Sequence, residues 1–335
     1  MTDMTNSRSL LRRPFAAALV ATLAAAPAVL AQNSAAPRRH GSAVATLPSY
    51  DRRAPLALTD SLVRSEGALG IHRVAFASPL GGRATAWVVV PPDSLRDRSK
   101  RFAGVLMLHG APGNAEGMLS RAEHLARHGA LVLALDAPFA RRDPGRPITL
   151  TAQDSADVVQ LAVDLQRAVD VLVARPDVDP ARLGFVGVSY GGAQGALLAG
   201  IEHRIRAYVL QVADGGMAEH FTNDDGSNAP PFEGVADSTW RRWLDALRPV
   251  GSIHFIERAV PGSILYQWGE RDEAVPPANA RRLLAASPAA TVKWYDSGHG
   301  LPIQAQLDAL AWLSAKIGLT PVNDADRAPQ PRAAR

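Results

Sequence analysis

The chain has 335 residues, 47% of them hydrophobic and 20% charged, which is enough apolar material for one large core. A net charge of +4, carried by scattered arginines with no basic stripe among aromatics, argues against a nucleic-acid partner. Cysteine is absent, so disulfides and thiolate chemistry are excluded and packing alone must hold the fold.

Residues 1–31 read as an export signal. Arg8, Arg12 and Arg13 precede the apolar run "PFAAALVATLAAAPAVLA", and Val29 and Ala31 fit the positions before a cut after Ala31. The run is short for a spanning helix and Pro27 interrupts it, so no stable membrane anchor is expected after cleavage. "RRPF" partly matches a twin-arginine signal. The expected location is periplasmic or secreted, in a bacterium. Residues 32–55, rich in Pro, Ala, Ser and Arg without an apolar period, read as a flexible linker, and 320–335 as a disordered tail. The domain is expected over 56–319.

Within it, strands and helices alternate. "HRVAFASP" and "ATAWVVVPP" read as an opening antiparallel pair, and "FAGVLMLHG" as a buried strand. A helix over 114–128 follows, then the apolar strand "ALVLALDAP". Residues 154–174 form the clearest helix: Val158, Leu161, Leu165, Ala168 and Leu172 make one apolar stripe, with Asp157, Asp164 and Arg167 off it. Then come strand "RLGFVGV", helix "YGGAQGALLAG" and strand "IRAYVLQVA". Residues 214–250 break the rhythm with a polar Gly/Asn/Asp/Pro loop and a short amphipathic helix, which reads as a lid or insertion. Strand "SILYQWG", a helix over 277–286, strand "TVKWYDS" and a helix over 302–317 close the chain. Continuous apolar strands between helices predict an α/β fold with a mostly parallel central sheet covered on both faces.

Ligands of such a sheet bind where the strands end. Ser189 sits there, in "GVSYGG", between Gly187 and Gly191. A G-x-S-x-G turn from strand to helix holds a serine hydroxyl clear of the backbone, and the crowding of strand and helix leaves no space for a Cβ at the flanking positions. The following helix presents the positive end of its dipole. A hydroxyl needs a base, and His299 in "DSGHGLP" follows the last strand. The base needs an acid to orient it. Asp272 in "GERDEAVPP" is the first choice; Asp214 is the next, and Asp136, Glu270 and Glu273 stay open. Asp296 is too close to His299 along the chain and reads as a turn residue. The backbone N–H groups of Tyr190 and Ala111 are expected to form an oxyanion hole, with His109 bracing its loop. Arg141 and Arg142, in "APFARRDPGRP", are candidate substrate-binding residues. His124 and His128 have helical i, i+4 spacing, but Leu125 stands where the zinc-protease motif needs Glu. No metal and no cofactor are expected.

"HGAPG", "GVSYGG", "GERDEAVP" and "SGHG", in that order across roughly residues 70–317, resemble the α/β-hydrolase superfamily. The elbow is similar to those of its dienelactone-hydrolase-like and prolyl-oligopeptidase-like branches. Two departures stand out: the dienelactone hydrolases proper use a cysteine, and the oligopeptidases carry a β-propeller for which this chain has no repeat. The resemblance implies the α/β-hydrolase fold and a Ser189–His299–Asp272 triad. The expected function is an exported serine hydrolase acting on a small-molecule or polymer-borne carboxylic ester. The alternatives are a secreted serine peptidase of the prolyl-oligopeptidase-like type and a catalytically inactive hydrolase-fold binding protein.

Overall fold

The computed structural model describes residues 44–97, 101–223, 227 and 232–323. The expected export signal, the linker up to residue 43 and the tail from residue 324 lie outside the described residues. The chain enters one sheet through antiparallel strands: β1 (Thr59–Glu66) pairs with β2 (Leu69–Ala77), and β2 with β3 (Arg83–Val90). β3 then lies antiparallel to β5 (Ala130–Leu135). From there the order is β5, β4 (Phe102–Leu108), β6 (Val178–Val188), β7 (Ala207–Gln211), β8 (Ile264–Gly269) and β9 (Thr291–Tyr295), all parallel. β1 escapes a reading of hydrophobic period because all eight of its residues are exposed; backbone pairing to β2 alone makes it a strand.

The apolar runs become central strands because both faces are covered. On β4, Phe102, Leu106 and Leu108 enter one core, and Ala103, Val105 and Met107 enter the other. β5 divides likewise, Leu131, Leu133 and Leu135 against Ala130, Val132 and Ala134. This is period-two geometry with neither face wet. Each fully buried leucine contributes about 1.5–3 kcal/mol relative to exposure. One face is covered by α1 (Leu119–Ala126) and α8 (Ile303–Ile317), through Ala122, Leu125, Leu310 and Leu313. The opposite face receives α2 (Pro138–Arg142) through Phe139, α3 (Ala152–Ala174) through Leu161, Leu165 and Leu172, α4 (Tyr190–Ala199) and α7 (Pro277–Ala286).

Residues 214–250 contain α5 (Met217–His220) and α6 (Asp237–Leu247). The amphipathic reading of α6 holds: Trp240, Trp243, Leu244 and Leu247 pack with Val158, Ala162, Leu197 and Phe255. That packing changes α3. Its polar residues are not on a solvated face, since Asp154, Asp157, Asp164, Arg167 and Asp170 are all buried. Each carboxylate therefore needs a partner. Trp243 Nε1 donates to Asp154 (2.7 Å), Arg142 grips Asp157 through two bonds (2.8 and 2.7 Å), and Arg141 donates to Asp164 (2.6 Å).

The same charges correct the expected linker over its described part. Tyr50 donates to Asp170 (2.7 Å), Arg167 donates to the carbonyls of Arg52 and Ala54, and Ala45 N–H donates to Pro249 O (2.9 Å). Residues 44–54 thus dock along α3, because a buried arginine and aspartate require the backbone acceptors and the phenol that this segment supplies.

Burial pushes the Asp164 carboxyl above its usual range, opposed by the Arg141 cation. Removing one partner of a buried pair costs about 3–5 kcal/mol. Arg141→Met is therefore expected to lower unfolding stability by about that much at neutral pH in urea titrations. The deficit should shrink as pH falls, because protonation relieves the stranded Asp164 charge. Tyr50→Phe should cost about 1 kcal/mol and hasten proteolytic cleavage within 44–54.

Candidate active site

Ser189 joins β6 to α4 at φ 54° and ψ −119°, a conformation that costs a non-glycine residue on the order of 1–3 kcal/mol. The turn is over-determined. Ser189 N–H donates to Gln211 O (2.9 Å) on β7, and Ser189 O accepts from Ala193 N–H (2.9 Å). A Cβ on Gly187 would stand 2.2 Å from Gly191 O, and one on Gly191 would stand 2.3 Å from Leu108 O. Both glycines are required by that crowding, as the sequence motif implies.

The parallel order brings the ends of β8 and β9 beside this elbow. Asp272 follows β8, and His299 lies between β9 and α8. His299 Nε2 is 3.0 Å from Ser189 Oγ, and its Nδ1 is 2.8 and 3.1 Å from the two oxygens of Asp272. Asp272 is buried, and its Oδ1 also accepts the N–H groups of Ala274 and Val275, each at 2.9 Å. An ionised carboxylate only accepts, so Nδ1 of His299 carries a proton and donates it. In the neutral ring Nε2 is then an acceptor, facing the Ser189 hydroxyl. That is the tautomer a general base requires.

The other candidate acids have different partners. Asp136 is bonded by Arg73 (2.7 Å), Thr85 (2.7 Å) and Ala115 N–H (2.8 Å). Asp214 binds His220 (2.7 Å). Asp296 pairs with Arg271 on the surface, and Glu270 and Glu273 are exposed.

Tyr190 is the first residue of α4, where backbone N–H groups have no intrahelical acceptor. Ala111, in the loop after β4, lines the same cavity as Ser189 and Tyr190. His109 braces that loop. Ala137 N–H donates to its Nε2 (3.0 Å), so Nδ1 carries the proton and donates to Gly110 O (2.8 Å). Burial pushes the His109 imidazole below its ordinary value.

Arg141 and Arg142 are not brought to the cavity. They are spent on Asp164 and Asp157 of α3, whose burial demands neutralisation. His124 and His128 do come together at the end of α1, their ring centroids 5.1 Å apart, and His128 Nδ1 bonds Thr320 O (3.0 Å). Among the described residues no cluster of three or more His, Cys, Asp or Glu is arranged to hold a metal ion, and no helix is long and apolar enough to cross a membrane.

The cavity holds about 230 Å³, below the range of about 300–1,000 Å³ usual for drug-sized ligands. Pro112, Ile148, Met217 and Phe221 make its wall mostly apolar, and Asp214 and His220 are polar exceptions. His220 is the site residue that sequence reading missed. Its one signal was its place six residues after Asp214, in a segment read only as an insertion.

His220 and His109 should titrate in opposite directions. Burial opposes charge on His220, but the hydrogen bond and field of Asp214, with Asp272 adding, outweigh it and hold the imidazole above its ordinary value. Its stabilising contribution is complete below the ordinary value of 6.5 and is lost as pH rises through the higher folded value. His109 contributes above 6.5, and that contribution is lost as pH falls towards its lower folded value. NMR titration of the imidazole protons is expected to show His220 above and His109 below 6.5, with Asp214→Asn moving His220 down.

A family model of the alpha/beta hydrolase fold matches residues 105–239. Dipeptidyl-peptidase 5 of Porphyromonas gingivalis is 32% identical over 142 residues, 41% of this chain and 20% of that protein. The chain thus spans about a fifth of that curated relative's length. The acetyl xylan esterase of Paenibacillus sp. R4 superposes with a TM-score of 0.59 at 19% identity, covering 78% of this chain and 89% of the other. A puromycin-hydrolyzing peptidase of Mycobacterium tuberculosis superposes with a TM-score of 0.53 at 16% identity, covering 77% and 47%. At these identities the structural likeness establishes the fold, and neighbours with esterase and peptidase names share it. With this sheet, these connections and the match of that family model over residues 105–239, the chain has the α/β-hydrolase fold.

Proposed function

We propose that the protein is an exported serine hydrolase that cleaves carboxylic esters of small molecules or of polymer-borne groups. The observation that carries this reading is one imidazole bridging Ser189 Oγ (3.0 Å) and the buried Asp272 carboxylate (2.8 Å). In this mechanism His299 Nε2 takes the Ser189 proton as Oγ bonds to the acyl carbon. The amides of Tyr190 and Ala111 stabilise the oxyanion. Collapse breaks the bond to the leaving alcohol, which receives the proton from His299. Water, deprotonated by His299, then releases the acid and restores Ser189. Asp272 keeps the imidazole oriented and stabilises its cation. No cofactor and no metal enter this scheme. Export rests on the arginines and apolar run of residues 1–31.

A second reading, a serine peptidase, is favoured by the partial match to Dipeptidyl-peptidase 5. The small cavity favours the ester. The ratio of p-nitrophenyl ester to p-nitroanilide hydrolysis separates the two, and a dominant ester rate is expected.

Ser189→Ala is expected to reduce p-nitrophenyl acetate turnover by at least about 10⁴-fold and to abolish fluorophosphonate labelling, with an unchanged circular dichroism spectrum. Equal turnover in variant and parent rejects the assignment. Failure of the parent to label supports an inactive binding protein instead.

A further inference from the structure

The ester chemistry leaves two polar groups of the cavity, Asp214 and His220, without a task. His220 ends α5, and it lines the cavity together with Asp214 and Ser189. Its position is built. Asp214 Oδ2 is 2.7 Å from His220 Nδ1, while Asp214 Oδ1 accepts from Gly216 N–H (3.0 Å). Asn279 of α7 donates to the carbonyls of Glu219 and His220 (3.0 and 3.2 Å), fixing the end of the helix from behind. Phe221 meets the ring edge-on at 4.8 Å.

The carboxylate of Asp214 only accepts, so Nδ1 carries a proton. Nε2 has no hydrogen-bond partner among the described residues, and the side chain is 35% exposed. It is the ring nitrogen left for a ligand. Asp214 and the more distant Asp272 favour the doubly protonated ring against the cost of burial. Arg141 and Arg142 of α2 are committed to α3. A donor with cationic character therefore lines a cavity whose wall is mostly apolar apart from Ser189 and Asp214. Charge-assisted bonds from such a donor to a carboxylate are roughly twice as strong as neutral ones, whereas an ammonium there would meet like charge.

We propose that His220, oriented by Asp214, is the specificity-determining donor of this cavity and binds a carboxylate carried by the substrate, so that the preferred ester bears a free acid and not an amine. This rests on the hydrolase reading for the word substrate, though the carboxylate site itself does not require turnover. Two measurements on the full chain keep these apart. The first is competitive inhibition of p-nitrophenyl acetate hydrolysis by glutarate, by its neutral analogue glutaramide and by the cation 1,3-diaminopropane. The second is calorimetric binding of the same three compounds, which needs no catalysis.

Glutarate is expected to bind about tenfold or more tightly than glutaramide, with the diamine weakest. His220→Gln should erase that preference, and Asp214→Asn should weaken it by leaving the ring neutral. The inference is overturned if glutarate and glutaramide bind alike in the parent, or if the preference survives His220→Gln. If Ser189 labels and turns over ester under those results, the hydrolase reading stands and this inference fails. If the parent neither labels nor turns over ester, but glutarate binds and depends on His220, the carboxylate site stands and the hydrolase reading fails.

Discussion

A serine held at a positive φ between two glycines is the constraint around which the site is organised. The strain at Ser189 persists because its surroundings leave no alternative. Its N–H is bonded to Gln211 on the neighbouring strand, and the carbonyls of Leu108 and Gly191 stand where flanking side chains would have to go. The hydroxyl is thereby projected beyond the strand ends at the start of α4. Strand order does the rest. β7, β8 and β9 succeed β6 in the sheet, so the loops after β8 and β9 reach the same edge. Asp272 and His299, the latter 110 residues from Ser189, meet the elbow there.

A second constraint acts from behind the sheet. α3 carries its carboxylates inward, and burying them obliges the fold to supply cations and donors from several directions. Arg141 and Arg142 come from α2, Trp243 from α6, and Tyr50 from the segment that precedes the sheet. One helix thus ties the insertion, the entry segment and the loop after β5 together. The consequence for the site is chemical. Arginines whose sequence position suggested contact with substrate are neutralised elsewhere, and the polar character of the cavity falls to Asp214 and His220.

Much of this was legible before any coordinates. The apolar runs of β4, β5 and β7 identify central strands because both their faces are buried, and the elbow motif identifies Ser189 because the backbone crowding it describes is local. The edge strand β1 was not legible, since exposed side chains carry no period and its pairing depends only on backbone groups. The docking of residues 44–54 was also hidden, because a Pro/Arg-rich stretch reads the same whether it is solvated or held by Arg167 and Asp170. Among the acids after strands, the sequence ranks Asp272 first by chain order, but Asp136 and Asp214 look equivalent until their partners are seen.

The sequence by itself determined the alternation of buried strands and helices, the serine elbow, and the order of serine, aspartate and histidine along the chain. Those features follow from side-chain period and from steric limits acting over a few residues. Only the tertiary structure decided which carboxylate orients His299, where Arg141 and Arg142 spend their charge, and that His220 joins the cavity wall. Each of these depends on the distance between groups far apart in the chain, and the strength of a charge or hydrogen bond is set by that distance and by the burial around it.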